Sequence, residues 1–147
     1  MSTHPADCPL CAETGGLLIV QQPLWRVVRV LDEAFPAFYR VIWQAPVAEF
    51  TDLDPVQRVL CMEVVCRMEQ VLRDALNPTK INLASLGNVV PHLHWHVLAR
   101  FDWDSHFPNP IWGEAVRNVV PAPSARLAID LQQLDQQLRG SLGSLST

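Results

Sequence analysis

Positive charge is scarce in this 147-residue sequence. Lys80 is its only lysine, and 11 Lys and Arg against 15 Asp and Glu give a formal net charge of −4. The basic residues form no cluster along the chain. Proteins that bind nucleic-acid polymers or anionic membranes broadly need many basic side chains against phosphate groups. We therefore expect neither a nucleic-acid polymer nor a membrane among the partners of this protein.

Long apolar runs are also absent. No uninterrupted apolar stretch approaches the roughly 18 residues that suggest a membrane-spanning helix. The first eleven residues, MSTHPADCPLC, lack the basic start and apolar core of a signal peptide. We expect a cytoplasmic protein whose cysteines are thiols. Cys61 and Cys66 follow a helical pattern and are expected to be buried, whereas Cys8 and Cys11 form a CxxC.

The sequence contains no GxxxxGK[ST] loop, the segment that cradles phosphates in one large class of nucleotide-binding proteins. Lysine is nearly absent too. A phosphate ligand would therefore have to be held by imidazoles, side-chain amides and backbone N–H groups.

Alternating and apolar segments predict about five strands, bounded by turn residues. They are GGLLIV, WRVVRVL, the aromatic run after Pro36, KINLASLGN and HLHWHVLARF. A long central helix should begin at Pro55, capped by Asp54, and close at Asn77. The residues expected on its buried stripe are Val56, Leu60, Val64, Val71 and Ala75.

A second helix is expected over about residues 124–138, with Ser124 as its cap. The pattern predicts an α+β fold in which helices cover one side of an antiparallel sheet. We expect one domain over residues 1–112, a loop and helix packed on it over 113–140, and a disordered tail over 141–147. Apolar strand surface in excess of what two helices cover favours a homodimer.

Three of the five histidines, His92, His94 and His96, fall at alternate positions in VVPHLHWHVLA, residues 89–99. Alternate side chains of a strand share a face, at intervals of roughly 6.5 Å. The three imidazoles should then form a row, with Trp95 on the opposite face. Alternation is ordinary in half-buried strands, but their wet face usually carries Thr, Lys, Arg or Glu rather than a ring that titrates near neutral pH.

Two kinds of chemistry suit such a row. Three histidines with an open fourth position make a catalytic zinc site, but the outer rings of one strand start roughly 13 Å apart, so only two could reach one ion. Nucleophilic attack on phosphorus fits the spacing better. A neutral imidazole can attack while its neighbours orient it and bind phosphate oxygens.

The segment HLHWHVL, residues 92–98, resembles the His-x-His-x-His-x-x motif of the histidine triad (HIT) family of nucleotide hydrolases and transferases. The resemblance reaches back through KINLASLGNVV and spans about residues 8–112. Within this family, the sequence resembles HIT proteins of the diadenosine polyphosphate hydrolase type. The resemblance implies a dimerising HIT-like fold with a five-stranded antiparallel sheet, one long central helix and a C-terminal helix, and a reaction that needs no cofactor.

The resemblance also implies a role for each candidate site residue. His94 would attack the α-phosphate of a nucleotide, and water would then resolve the nucleotidyl-histidine intermediate. His96 would bind phosphate oxygens, and His92 would hold the tautomer of His94, partly through its backbone carbonyl. The remaining substrate contacts would be Asn82, Gly87 and Asn88 at the phosphate and Asp32 at the ribose. For Asp32, a turn residue in LDEAFP is an equal alternative.

Three positions depart from the family pattern. Val89 stands where a Ser or Thr commonly assists the leaving group, and Asn88 stands where many relatives have the longer Gln. Pro46 occupies the place of a histidine that supports the site or, in members with an N-terminal CxxC, joins a zinc site.

The CxxC leaves the metal question with two answers. Cys8, Cys11 and His92 could supply three zinc ligands, but a fourth would be needed, for instance from His4. Otherwise Cys8 and Cys11 are a pair of reduced thiols.

The sequence therefore predicts a nucleotide hydrolase that cleaves a phosphoanhydride or phosphoramidate bond at a nucleoside α-phosphate through His94. Two alternatives stay open. Val89 and Pro46 favour a nucleotide-binding or regulatory HIT module that has lost turnover. Paired histidines would also suit a His-ligated metalloenzyme.

Overall fold

The computed structural model describes residues 7–145 and has an α+β fold built on one five-stranded, fully antiparallel sheet. The strands are β1 Leu17–Gln21, β2 Trp25–Arg29, β3 Phe38–Trp43, β4 Lys80–Ala84 and β5 His94–Arg100. The helices are α1 Pro9–Ala12, α2 Pro55–Leu76 and α3 Leu131–Leu142. The spatial order of the strands is β1-β2-β3-β5-β4, so β5 is an inner strand between β3 and the edge strand β4. This is the predicted fold class.

The central helix α2 begins and ends where the sequence predicts. Asp54 accepts a hydrogen bond from the Gln57 backbone N–H at 2.8 Å, and the Gln57 side chain accepts one from the Asp54 N–H. This reciprocal arrangement satisfies two N–H groups that the helix start leaves without partners. Asn77 ends the helix in the left-handed region, with φ 46°.

One face of the sheet packs on α2 and α3 and forms the main core. Its largest members include Trp25, Tyr39, Trp43, Met68, Leu72, Leu134 and Leu138, all buried. Each such side chain contributes about 1.5–3 kcal/mol when fully removed from water. Trp95 packs against this core, on the face opposite the histidines, as expected. The other face of the sheet is therefore left to carry the histidines.

The C-terminal helix differs from its prediction at both ends. Pro123–Arg126 form only a 3-10 turn, in which Ser124 is not the cap. α3 starts after Asp130, whose carboxylate accepts a hydrogen bond from the Gln133 N–H at 2.8 Å. This N-cap satisfies one of the backbone N–H groups that the start of a helix leaves without a partner. The helix continues to Leu142, so residues 141–142 are helical and were wrongly assigned to the tail. Residues 146–147 lie outside the described range.

The stripe predicted for α2 was also partly wrong. Val56 is 79% exposed, and Cys66 is exposed rather than buried. Val64 is buried as predicted, and Leu60, Val71 and Ala75 are partly buried against the core. The other buried residues of the helix are Cys61, Val65, Met68, Leu72 and Leu76. The short helix α1, which the sequence did not predict, lies on the opposite side of the sheet, where Leu10 packs with Val28 and Ile42. Among residues 7–145, none of the helices has the length and apolar character to cross a membrane.

Candidate active site

β5 places His94 and His96 on the sheet face that α2 and α3 leave open. In the strand register His94 lies opposite Ile42, and His96 lies between Arg40 of β3 and Ala84 of β4. His92 lies two residues before the start of the strand rather than within it. All three rings are largely buried, at 1%, 8% and 5% exposure for His92, His94 and His96. Buried polar rings require partners, and these partners decide the chemistry.

Two backbone carbonyl groups fix the protonation pattern of His92 and His94. The Nε2–H of His92 donates to the Trp43 carbonyl oxygen at 2.5 Å, and the Nδ1–H of His94 donates to the His92 carbonyl oxygen at 2.6 Å. A carbonyl oxygen only accepts, so each bonded nitrogen must carry the proton. In the neutral rings, Nδ1 of His92 and Nε2 of His94 therefore keep free lone pairs.

Burial lowers the pKa of all three histidines. The neighbouring charge of Arg26 adds to this for His92, and that of Arg40 adds to it for His94. For His96, burial, His94 and Arg40 lower the pKa to about 4. A charged imidazolium is disfavoured in a partly buried site beside another cation. The triad is therefore uncharged at neutral pH, as a nucleophile must be.

Aromatic rings surround His96. The centroid of His94 lies 4.9 Å from that of His96, and those of Phe38 and Trp112 lie 5.5 and 5.2 Å away, all edge to face. Trp112 lies against the triad and is 53% exposed. Sequence reasoning missed it because the loop that returns it to the sheet has no periodic pattern.

Arg100 determines how Asn82 presents its amide. Its Nη1–H donates to Asn82 Oδ1 at 2.8 Å, and its other nitrogens bond Asp104 and the Asn109 carbonyl. Arginine has no acceptor, so the amide oxygen must face it and the amide NH₂ must face away. Burial alone would raise the pKa of Asp104, but hydrogen bonds from Arg100 and from the backbone lower it. Asn82 therefore offers donors on the triad face of the sheet.

The other predicted contacts are placed differently. Gly87 adopts φ 73°, which favours glycine, in the loop after β4, and a cavity of about 250 Å³ lies between this loop and His94. Asn88 follows Gly87 in the same loop and is exposed. The carboxylate of Asp32 accepts from the Ala34 N–H at 2.9 Å and lines a separate cavity with Leu31. This bond is the turn role that the sequence left open, and a ribose contact stays a prediction.

Cys8, Cys11 and His92 bring three metal-binding groups together. Their ligand atoms all lie within 4.8 Å of one another, and the two Sγ atoms are 3.3 and 3.4 Å from His92 Nδ1. That nitrogen is the one with the free lone pair, and the Trp43 carbonyl orients the ring as outer-shell partners orient metal-bound histidines. The donor set therefore fits zinc. No fourth such ligand joins them within residues 7–145, and His4 lies outside that range.

Comparisons with known proteins agree with the fold and the row of histidines described above. A family model described as the HIT domain matches residues 12–103. A histidine triad protein of Bradyrhizobium japonicum, blr8122, is 29% identical, with 87% of this chain and 91% of that chain covered and a TM-score of 0.70. One from Marinobacter aquaeolei VT8 is 20% identical, with 90% and 93% covered and a TM-score of 0.70.

A zinc-bound histidine triad family protein of Mycobacterium smegmatis is 19% identical, with 97% of each chain covered and a TM-score of 0.59, and so shares the fold. No curated protein matches the sequence significantly.

Proposed function

The chain belongs to the HIT domain family, and from this premise we propose that it binds nucleotides and hydrolyses them at the α-phosphate through His94. The observation that carries the proposal is the state of that ring. Its Nδ1–H is held by the His92 carbonyl, its Nε2 has a free lone pair, and its pKa is lowered by burial. A neutral, oriented imidazole is a competent nucleophile at neutral pH.

The reaction has two displacements. His94 Nε2 attacks the α-phosphorus, a P–N bond forms, and the bond to the leaving group breaks with its electron pair on that group. The imidazolium formed in this step is stabilised by the Nδ1–H bond to the His92 carbonyl. Water then attacks phosphorus, the P–N bond breaks and returns its electrons to the ring, and a proton passes to solvent. One difficult displacement is thereby divided into two easier ones.

Neighbouring groups bind the phosphate oxygens. The amide NH₂ of Asn82 and the backbone N–H groups of the Gly87 turn donate to them, and the Nε2–H tautomer of His96 does the same. His96 forms no hydrogen bond within residues 7–145, and its Nδ1 is buried, so the ring is poised for a ligand on Nε2. Donors aimed at developing charge stabilise the transition state.

The finer assignment is a hydrolase of the dinucleoside polyphosphate or nucleoside phosphoramidate type. The principal rival is a HIT module that binds nucleotides without turning them over, and Val89 favours it because the side chain offers no proton to a leaving group. Steady-state hydrolysis of diadenosine tetraphosphate and of an adenosine phosphoramidate by wild type, His94→Ala and His106→Asn separates the two.

Hydrolysis by wild type and His106→Asn but not by His94→Ala is the expected result. Nucleotide binding by all three proteins without hydrolysis by any would establish the rival.

Cys8, Cys11 and His92 are the residues that would hold a zinc ion. Such an ion supplies no step of the reaction above; when bound, it would cross-link α1 to the segment that precedes β5. Cys66 is a matched control, because it is exposed like Cys11 but lies on α2. We expect purified wild type and Cys66→Ser to carry zinc by elemental analysis and Cys11→Ser to lose it. Equal zinc in all three would contradict the assignment.

A homodimer is the expected assembly. The edge strand β4 has unpaired backbone groups, and its Leu83 and the following Leu86 are 43% and 51% exposed. An apolar edge strand is a template for pairing with another chain. Light scattering should therefore give a dimer for wild type and for Leu31→Lys, which alters an exposed leucine elsewhere, and a monomer for Leu83→Lys. A wild-type monomer would contradict this assembly.

A further inference from the structure

Arg40 lies beside the triad and has no part in the mechanism above. It projects from β3 on the same face as His96, directly opposite that residue in the strand register. Its charge acts on both rings, since it contributes to the lowered pKa values of His94 and His96. Burial also lowers the pKa of Arg40 itself. Partial burial of this charge costs free energy, and a bound anion would offset that cost.

The guanidinium of Arg40 is poorly satisfied by the protein. Within residues 7–145 its one hydrogen bond runs from Nη1–H to the Gly15 carbonyl, at 3.2 Å, and its buried Nε–H has no partner. No carboxylate pairs with it there, whereas Arg29 pairs with Asp135 and Arg100 with Asp104.

Arg26 provides a comparison on the same face of the sheet. Its guanidinium makes four hydrogen bonds, to the carbonyls of Leu10, Glu13 and Thr14 and to the Gln44 side chain. The protein thus occupies four of the five guanidinium N–H donors of Arg26, which has a structural role. Arg40, next to the triad histidines, has N–H donors that no group within residues 7–145 accepts. Guanidinium donors match the geometry of phosphate oxygens.

Two of the side chains near the proposed reaction cannot donate a proton to the leaving group. Val89, where relatives carry a hydroxyl, cannot donate a proton and is 93% exposed. His96 is uncharged at neutral pH, because its pKa is about 4. An amine leaves phosphorus only when it takes up a proton, whereas a phosphate leaves as a stable anion that needs only a positive charge nearby.

We propose that Arg40 forms an anion subsite beside the triad that binds the phosphate group bonded to the reacting α-phosphate. The site therefore favours nucleotides with a phosphoanhydride bond over nucleoside phosphoramidates. Departure of the anion leaves the P–O electron pair on the β-phosphate oxygen, and Arg40 balances that charge. This inference rests on the proposed reaction for its kinetic consequence, but the subsite itself is a binding property.

Binding measurements test the subsite without any hydrolysis. Isothermal titration of ADP and AMP is carried out on wild type, Arg40→Gln, Arg40→Lys and the exposed-charge control Arg73→Gln. Gln retains an N–H that can reach the Gly15 carbonyl while removing the charge. Because hydrogen bonds to charged groups contribute about 1.5–3 kcal/mol, we expect ADP to bind wild type about 10–100 times more tightly than AMP.

The preference for ADP should vanish in Arg40→Gln, survive in part in Arg40→Lys and be unchanged in Arg73→Gln. An equal preference in wild type and Arg40→Gln, or none in wild type, overturns the subsite.

Kinetics test the selectivity. Arg40→Gln should lower kcat/KM for diadenosine tetraphosphate about tenfold or more and change that for an adenosine phosphoramidate by less than about threefold. Equal losses on both substrates contradict the inference. If wild type hydrolyses neither substrate but ADP still binds more tightly through Arg40, the proposed hydrolysis fails and the subsite stands, so the two failures can be told apart.

Discussion

At the scale of single residues, the protonation patterns of His92 and His94 depend on two backbone carbonyl groups that the sequence does not reveal. The spacing of His92, His94 and His96 predicts a row of rings, but the tautomers follow from the Trp43 and His92 carbonyls. Trp43 is 49 positions from His92, so its contribution requires the folded register of β3 against β5. The same holds for Arg100, which orients Asn82 from the neighbouring strand.

The orientation of Asn82 gives a first prediction. Asn82→Asp keeps size and shape, but the new carboxylate would pair with Arg100 and offer no donor to phosphate. We expect kcat/KM for the nucleotide substrate to fall about 10²-fold, within the range for loss of one preorganised donor, while thermal stability stays within a few degrees. Asn118→Asp, at an exposed asparagine outside the proposed site, is the control. A variant of Asn82 with wild-type activity would remove this residue from the site.

Val89 gives a prediction of increased activity. Because the side chain is 93% exposed, Val89→Ser should fold normally, and in the proposed reaction its hydroxyl would assist the leaving group. General acid assistance contributes about 10²–10⁴-fold in enzymes. We expect phosphoramidate hydrolysis to rise at least tenfold, with little change for diadenosine tetraphosphate, whose leaving group needs no proton. Val120→Ser, at another exposed valine, should change neither rate; an unchanged phosphoramidate rate in Val89→Ser would refute the role of this position.

At the scale of elements, local signals predicted α2 well and α3 poorly. Asp54, Pro55 and Asn77 mark the ends of α2, and those signals act within a few residues. The start of α3 depends instead on competition between two caps, Ser124 and Asp130. A helix that starts after Asp130 buries Leu134 and Leu138 in the core. Tertiary packing of this kind, rather than local sequence, therefore selects Asp130 as the cap.

Asp135 fixes α3 to the sheet and gives a stability prediction. Its carboxylate accepts from the Tyr39 hydroxyl at 2.8 Å and pairs with Arg29 at 3.2 Å. Asp135→Asn removes the charge and should lower the free energy of unfolding by about 1–3 kcal/mol. Urea denaturation measures this, with Asp74→Asn on the exposed face of α2 as the control. Equal midpoints for wild type and Asp135→Asn would show that the pair contributes nothing.

At the scale of the whole molecule, the sheet has two faces with different functions. One carries the core, and the other carries buried, uncharged histidines beside Arg26 and Arg40. The sequence predicted this division from the alternation in β5, and Trp95 lies on the core side as expected. It could not predict that α1 and the loop bearing Trp112 return to the histidine face, because nothing in either segment is periodic.

The buried histidines make stability depend on pH. His96 has a pKa of about 4, below its ordinary value of 6.5, so as the pH falls through 6.5 the unfolded chain takes up a proton before the folded protein does. The contribution of His96 to the free energy of unfolding is therefore fully present above pH 6.5 and declines as the pH falls towards 4. For this one group the decline is at most about 1.4 kcal/mol per pH unit.

Urea denaturation at pH 7.5 and pH 5 measures this loss. We expect a smaller difference between the two pH values in His96→Asn than in wild type. An identical difference in both proteins would contradict the linkage.

The proposed reaction requires His94 to become covalently bonded to the nucleotide. Wild type mixed with diadenosine tetraphosphate, quenched in alkali within milliseconds and digested, should yield an adenylyl group on the peptide that contains His94, located by fragmentation mass spectrometry. His94→Ala should yield none and should not turn over. Hydrolysis that continues in His94→Ala, or an adduct found on another residue, would exclude His94 as the nucleophile.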